Sequence, residues 1–131
     1  MIQQLIFNLT SLTLGIMIFF SFVVAPVTFK FLDEQNSRRF IRGIFPYYYI
    51  LNFLFSLIIV FLFAYIKNYS ISFFLIGAVC ILFFTSNFLL MPLINKFRDK
   101  KKDKKFKISH FISVLINFIQ IIFLVLILFQ V

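Results

Sequence analysis

ISFFLIGAVCILFFTSNFLLMPLINKFRDKKKDKKFK, residues 71–107, is the stretch that decides the fold. From Tyr69 to Asn95 it holds no charge. Then Lys96, Arg98, Lys100, Lys101, Lys102, Lys104, Lys105 and Lys107 follow, with only Asp99 and Asp103 among them. A hydrocarbon core about 30 Å thick is crossed by roughly 20 apolar residues in a helix. Inside that core no water is present to satisfy the backbone, so a single apolar segment crosses it as an α-helix. Residues 71–94 are therefore expected to span a bilayer and to emerge into a basic segment at Lys96.

Three more stretches pass the same test. Met1 to Phe29 and Phe45 to Ile66 carry no charge, and Ile108 to Val131 carries none unless His110 is protonated. The expected spans are about 5–29, 46–66, 71–94 and 108–129. They use most of a chain that is 63% hydrophobic with a mean hydropathy of +1.07. A water-soluble globule of this size leaves too much of its surface exposed to hide such a composition. The expectation is an all-α integral membrane protein: one domain, residues 1–131, of four transmembrane helices arranged as two antiparallel hairpins. The first span lacks the positive leader and small-residue cleavage site of a signal peptide and is expected to be retained.

Charge sets the orientation. The connection 30–42 carries Lys30, Arg38, Arg39 and Arg42, and the connection 96–107 carries eight basic residues. The connection 67–70 has only Lys67, so twelve of the thirteen Lys and Arg fall on one side. Short basic loops stay cytoplasmic during insertion. The termini are expected outside and the basic loops inside, as in a bacterial inner membrane. There Arg38, Arg39, Arg42, Lys100, Lys101, Lys102, Lys104 and Lys105 would meet anionic lipid headgroups. The run is short, tethered at both ends and poor in aromatics, so nucleic acid is not expected as a partner.

Shifting the chain by 66 positions aligns Pro26, Lys30, Phe31 and Asp33 with Pro92, Lys96, Phe97 and Asp99. Without a gap, Arg38-Arg39-Phe40 then meets Lys104-Lys105-Phe106. Two copies of a helix–basic loop–helix hairpin account for this register. Both copies would start outside, making a parallel repeat.

Polar residues inside spans are expected to face other helices. In span four His110, Ser113, Asn117 and Gln120 follow helical spacing. Span two offers Tyr48, Asn52 and Ser56. Span three offers Gly77, Cys80, Asn87, Met91 and Asn95, and span one offers Asn8, Ser11 and Gly15. Cys80 reads as a small packing residue. Pro46 is expected to open the second span, where its missing N–H costs nothing, and Ser70 to cap the third. The cytoplasmic ends bring Pro26, Tyr48, Pro92, Asn95, His110, Ser113 and Asn117 to similar depth, so a pocket is expected there. His110, the one histidine, has three readings: an interfacial packing residue, a proton or ligand contact, or a metal or haem ligand. No carboxylate or second His lies within a span. No nucleophile elbow, phosphate loop or other catalytic motif is present, and no cofactor is expected.

Gly15, Phe19-Phe20, Ala25-Pro26, Phe29, Leu32, Phe45-Pro46, Tyr48, and then His110, Ser113 and Asn117 together resemble the transmembrane-protein-205-like family of small four-helix membrane proteins. The resemblance implies four spans and a membrane location but no established reaction. Eukaryotic members are linked to tolerance of metal-based drugs, which would imply export or metal handling. The reading that follows is a non-enzymatic membrane protein. It would be a transport-related or assembly subunit binding a small ligand or partner helix in the cytoplasmic half of the bundle, with a homo-oligomer needed for any transport path. The alternative is a redox, haem-linked or metal-handling protein using His110.

Overall fold

The computed structural model describes all residues, Met1–Val131, and contains only helices. Four are long and apolar enough to cross a membrane: α1 (Ile2–Phe31), α2 (Glu34–Tyr65), α3 (Ile71–Asp99) and α4 (Asp103–Gln130). Each apolar run lacks interior charges, and its backbone closes its own hydrogen bonds except where Pro26, Pro46 and Pro92 have no N–H to give. α1 packs on α2 and α4, and α3 packs on the same two, so the helices form a ring in chain order.

The helices run past the apolar stretches that define them. At 1.5 Å per residue the 32 residues of α2 extend roughly 48 Å, well beyond a hydrocarbon core. The connection expected over 30–42 is only Leu32 and Asp33, and that over 96–107 is only Lys100 to Lys102. Lys and Arg are good helix formers, so leaving the membrane did not end the helix. Pro46 therefore sits inside α2 rather than at its start. The true start is Asp33, whose carboxylate accepts from Asn36 N at 2.8 Å and caps the helix. Ser37 Oγ donates to the Thr28 and Leu32 carbonyls, at 3.1 Å each, and closes the corner.

Both remaining turns end a helix in the same way. Lys67 and Lys101 adopt φ of 54°. Asn68 N donates to Phe63 O with Lys67 N to Ala64 O, and Lys102 N donates to Phe97 O with Lys101 N to Arg98 O. These are Schellman closures built on lysine where glycine is usual. Ser70 does occupy the N-cap of α3, but its side chain makes no capping bond; Asn68 Oδ1 accepts from Ser70 N instead.

Two turns depart from α geometry. Phe20–Val24 in α1 and Ser86–Leu90 in α3 are π-helical, with Ala25 N bonding Phe20 O and Met91 N bonding Ser86 O. The next residue in each case is proline, Pro26 or Pro92. A proline removes one N–H and crowds the carbonyl four residues back. A π turn absorbs both by inserting one residue into the turn. The insertion is visible in α3, where the buried stripe runs Ile76, Val79, Phe83, Ser86 and then skips to Met91.

The core mixes Met17, Ile59, Phe63, Ile76, Phe83 and Leu124 with buried Thr10, Thr13, Asn52, Ser56 and Gln120. Small and polar residues between helices are the membrane pattern, since lipid offers no partner for them. Gln120 Nε2 donates to Val79 O at 3.0 Å. Large apolar side chains such as Phe7, Phe61, Phe74 and Phe118 point outward, which suits a lipid solvent. In α1 the buried stripe is Ile6, Thr10, Thr13 and Met17, not the expected Asn8, Ser11 and Gly15. Asn8 is exposed and receives a hydrogen bond from Gln4 at 3.0 Å.

Candidate functional site

A cavity of about 360 Å³ opens at the end of the bundle that carries the basic residues. All four helices line it. The π turn of α1 brings Phe20 and Ser21, the early turns of α2 bring Arg38 to Tyr49, the end of α3 brings Met91 to Arg98, and the start of α4 brings Phe106 to Asn117.

Its deep end is aromatic. Phe20 stacks on Tyr48 with ring centroids 4.2 Å apart, and Phe45 stacks on Tyr49 at 5.5 Å. Tyr48 Oη donates to Asn117 Oδ1 at 2.7 Å, and Asn117 Nδ2 donates to Ser21 Oγ at 2.8 Å. This chain of bonds ties α2, α4 and α1 together across the bundle. It engages the polar groups of the floor with one another, and the rest of the deep end is aromatic and apolar surface.

The outer end is cationic. Arg38 lies ten positions before Tyr48, roughly 15 Å along a helix, and with Arg42 and Arg98 it lines the cavity. Arg38 pairs with Glu34 on its own helix. Arg42 Nη2 reaches Asp99 Oδ1 at 2.8 Å, linking α2 to α3. Neither carboxylate lines the cavity; with Asp33 they line an adjoining polar depression that Arg38, Arg42 and Arg98 also border. Arg98 makes no ion pair and is half-buried, its guanidinium 4.3 Å from the centroid of Phe106. Phe106 in turn lies parallel to His110 at 5.8 Å.

Of the seven residues expected to form a pocket, the structure brings Pro26, Tyr48, Asn95, His110, Ser113 and Asn117 around this one cavity. Pro92 is exposed and does not line it; its neighbours Met91, Ile94 and Asn95 take the inner face of the helix. Of the basic residues expected at headgroups, Arg38 and Arg42 line the cavity, while Arg39, Lys100, Lys101, Lys102, Lys104 and Lys105 are exposed at the same end. Ser21, Arg98 and Phe106 were not singled out by the sequence. Ser21 carried one signal, a hydroxyl five residues before a proline in a span, where a π turn is at home. Arg98 was one charge among eight, and only the helical geometry of 91–99 distinguishes it. No three His, Cys, Asp or Glu side chains come together to hold a metal ion.

No curated protein and no solved structure matches the chain. One family does match over residues 9–103, covering most of the first helix, the second and third helices and the turn into the fourth. This multi-pass membrane protein belongs to the family described as a domain of unknown function, DUF4149.

Proposed function

We propose that the protein is a non-enzymatic subunit of a bacterial cytoplasmic membrane, related to transport or assembly, that binds a small ligand in the cavity between its four helices. One observation carries the reading: an open cavity with an aromatic floor and a polar mouth, at the size of a small-molecule site. The basic end is read as cytoplasmic, which the distribution of Lys and Arg favours. The two hairpins are read as a parallel repeat. Three features favour that: the π turns lie 66 positions apart, so do Pro26 and Pro92, and so do the cavity-lining pairs Ala25 and Met91, Phe29 and Asn95, Tyr48 and Val114. The likeness to the transmembrane-protein-205-like family fits the same architecture. A transport role would call for a homo-oligomer, since one bundle of four helices makes only a narrow pathway.

Thiol chemistry tests this. In a Cys80→Ala background, Ser113→Cys faces the cavity and Leu115→Cys faces outward. Methyl methanethiosulfonate should modify Ser113→Cys faster, and adding Ala25→Trp should slow that reaction by filling the cavity. Equal rates at the two positions would refute a solvent-reachable pocket. An impermeant reagent should reach Asn68→Cys from outside and Lys102→Cys only from the cytoplasmic side; the opposite pattern refutes the orientation.

A further inference from the structure

We infer that the cavity accepts an amphiphilic anion, a single carboxylate or phosphate-type head on an apolar body, with the head held at Arg98. The inference rests on the cavity being a ligand site and names what that ligand is.

Charge comes first. Three arginines and a histidine line the cavity and no carboxylate does. Glu34 and Asp99 each engage one arginine from the outer side, Arg38 and Arg42 respectively. Arg98, the third guanidinium lining the cavity, borders the depression that holds Asp33, Glu34 and Asp99 yet pairs with none of them, so it is the cavity arginine without an ion pair. Partial burial makes an unpaired cation costly, and stacking on Phe106 leaves its N–H edge free because the contact uses only the face of the guanidinium. A planar fork of this kind suits a carboxylate or phosphate.

Hydrogen-bond capacity gives the same answer. At the deep end Tyr48, Asn117 and Ser21 are hydrogen-bonded to one another. At the outer end neither the Asn95 side-chain amide nor the His110 imidazole makes a hydrogen bond, although both line the cavity. Free donors therefore cluster around Arg98, and apolar surface from Phe20, Phe45 and Met91 lies beyond them. A wholly polar anion would leave that surface wet, and a neutral hydrocarbon would leave the donors unanswered. An amphiphile satisfies both, head outward and body inward. It can come from two sources, a long-chain acid from the bilayer or a shorter acid from the cytoplasm.

The test uses the full chain in phosphatidylcholine nanodiscs, with Ser113→Cys in the Cys80→Ala background as reporter and the neutral methyl methanethiosulfonate as reagent. Oleate and oleyl alcohol form one pair of probes, octanoate and octanol the other. Under mildly alkaline conditions the acid should protect the thiol at a concentration about tenfold below its alcohol, the worth of a charge-assisted hydrogen bond. Protection by oleate alone assigns the bilayer source; protection by octanoate assigns the soluble one. Arg98→Gln should abolish the preference for acid over alcohol, and Arg98→Lys should keep part of it. If Arg98→Gln does not fold, the comparison of acid with alcohol in the reporter protein still decides. Alcohols protecting as well as acids, protection by neither acid, or an undiminished preference in Arg98→Gln would overturn the inference while leaving a reactive, open cavity. An unreactive Ser113→Cys would remove the cavity reading itself.

Discussion

Asn117 joins three helices with one side chain, so its removal has a calculable cost. It accepts from Tyr48 Oη at 2.7 Å and donates to Ser21 Oγ at 2.8 Å. Hydrogen bonds between helices in a membrane are worth about 0.6 kcal/mol on average and about 1.7 at most, because the unfolded chain also finds partners there. Two such bonds give an expected loss of roughly 1–3 kcal/mol for Asn117→Leu. Tyr48→Phe removes only one of them and keeps the ring stacked on Phe20, so it should cost about half as much. The assay is reversible unfolding in mixed detergent micelles followed by circular dichroism, on both single variants and on the pair. The double variant should be less destabilised than the sum by about 0.6 kcal/mol or more, since the shared bond is lost only once. Strictly additive effects would mean that Tyr48 and Asn117 do not interact. A loss below a few tenths of a kcal/mol for Asn117→Leu would mean that the three-helix tie carries no weight.

Three other outcomes are expected. Arg42→Gln should cost less than about 1 kcal/mol, because its pair with Asp99 is largely exposed; the loss should shrink further in high salt, and a salt-independent loss would argue for a different role. Lys101→Gly should raise stability by roughly 0.5–1 kcal/mol, since a left-handed φ burdens lysine and not glycine; a lower midpoint in the same unfolding assay would contradict the Schellman geometry. Pro26→Ala restores the missing N–H and removes the clash that favours the π turn of α1. Reversion to α geometry would turn the residues on one side of that turn by about 100° relative to the other. Ser113→Cys labelling should then change in rate, and an unchanged rate together with unchanged stability would show that proline does not set the turn.

Much of the fold was legible because a membrane imposes one coarse rule, an uncharged run of helical length, and the four such runs in this chain are separated by lysine and arginine. Helix ends were not legible for the same reason. Hydropathy marks where hydrocarbon stops, whereas a helix stops where its backbone bonds are redirected, at Asp33 and at Lys67 and Lys101. Treating the basic segments as loops therefore displaced Pro46 from the middle of α2 to its start. In α1 polarity is a poor guide to burial, since its inward stripe carries Thr10 and Thr13 while Asn8 is exposed. Threonines, which return their hydroxyls to their own helix as Thr10 does to Ile6 O at 2.7 Å, pack inward more readily than Asn8, whose amide finds a partner on the helix surface. The pocket residues could be picked out from depth alone, since prolines, tyrosine, asparagines and histidine at one level of four helices have few places to go. Pro92 shares that depth but not that facing: Met91, Ile94, Asn95 and Arg98 hold the inner face of the same helix, and Pro92 lies on its exposed side.

The two hairpins do not contribute equally to the cavity, and the inequality bears on what it can bind. On the proposed duplication, Phe29 corresponds to Asn95, Leu32 to Arg98, and Tyr48 to Val114. The first copy supplies the aromatic rings of Phe29 and Tyr48 and the aliphatic Leu32 at the positions where the second supplies an amide, a small apolar side chain and a guanidinium. A symmetric pair of hairpins would have placed like groups on both sides of the pseudo-axis, offering either two cationic walls or two aromatic ones. Neither would distinguish the two ends of a ligand. Divergence at these positions gives the site a polarity it would otherwise lack, and Arg98 stands where the first copy keeps a leucine. The residue that gives the cavity its one unpaired charge is therefore one in which the copies differ most, and exchanging Arg98→Leu restores the apolar character of its counterpart without touching the helix ends. Such a variant should keep the fold, keep Ser113→Cys reactive, and lose the distinction between an acid and its alcohol.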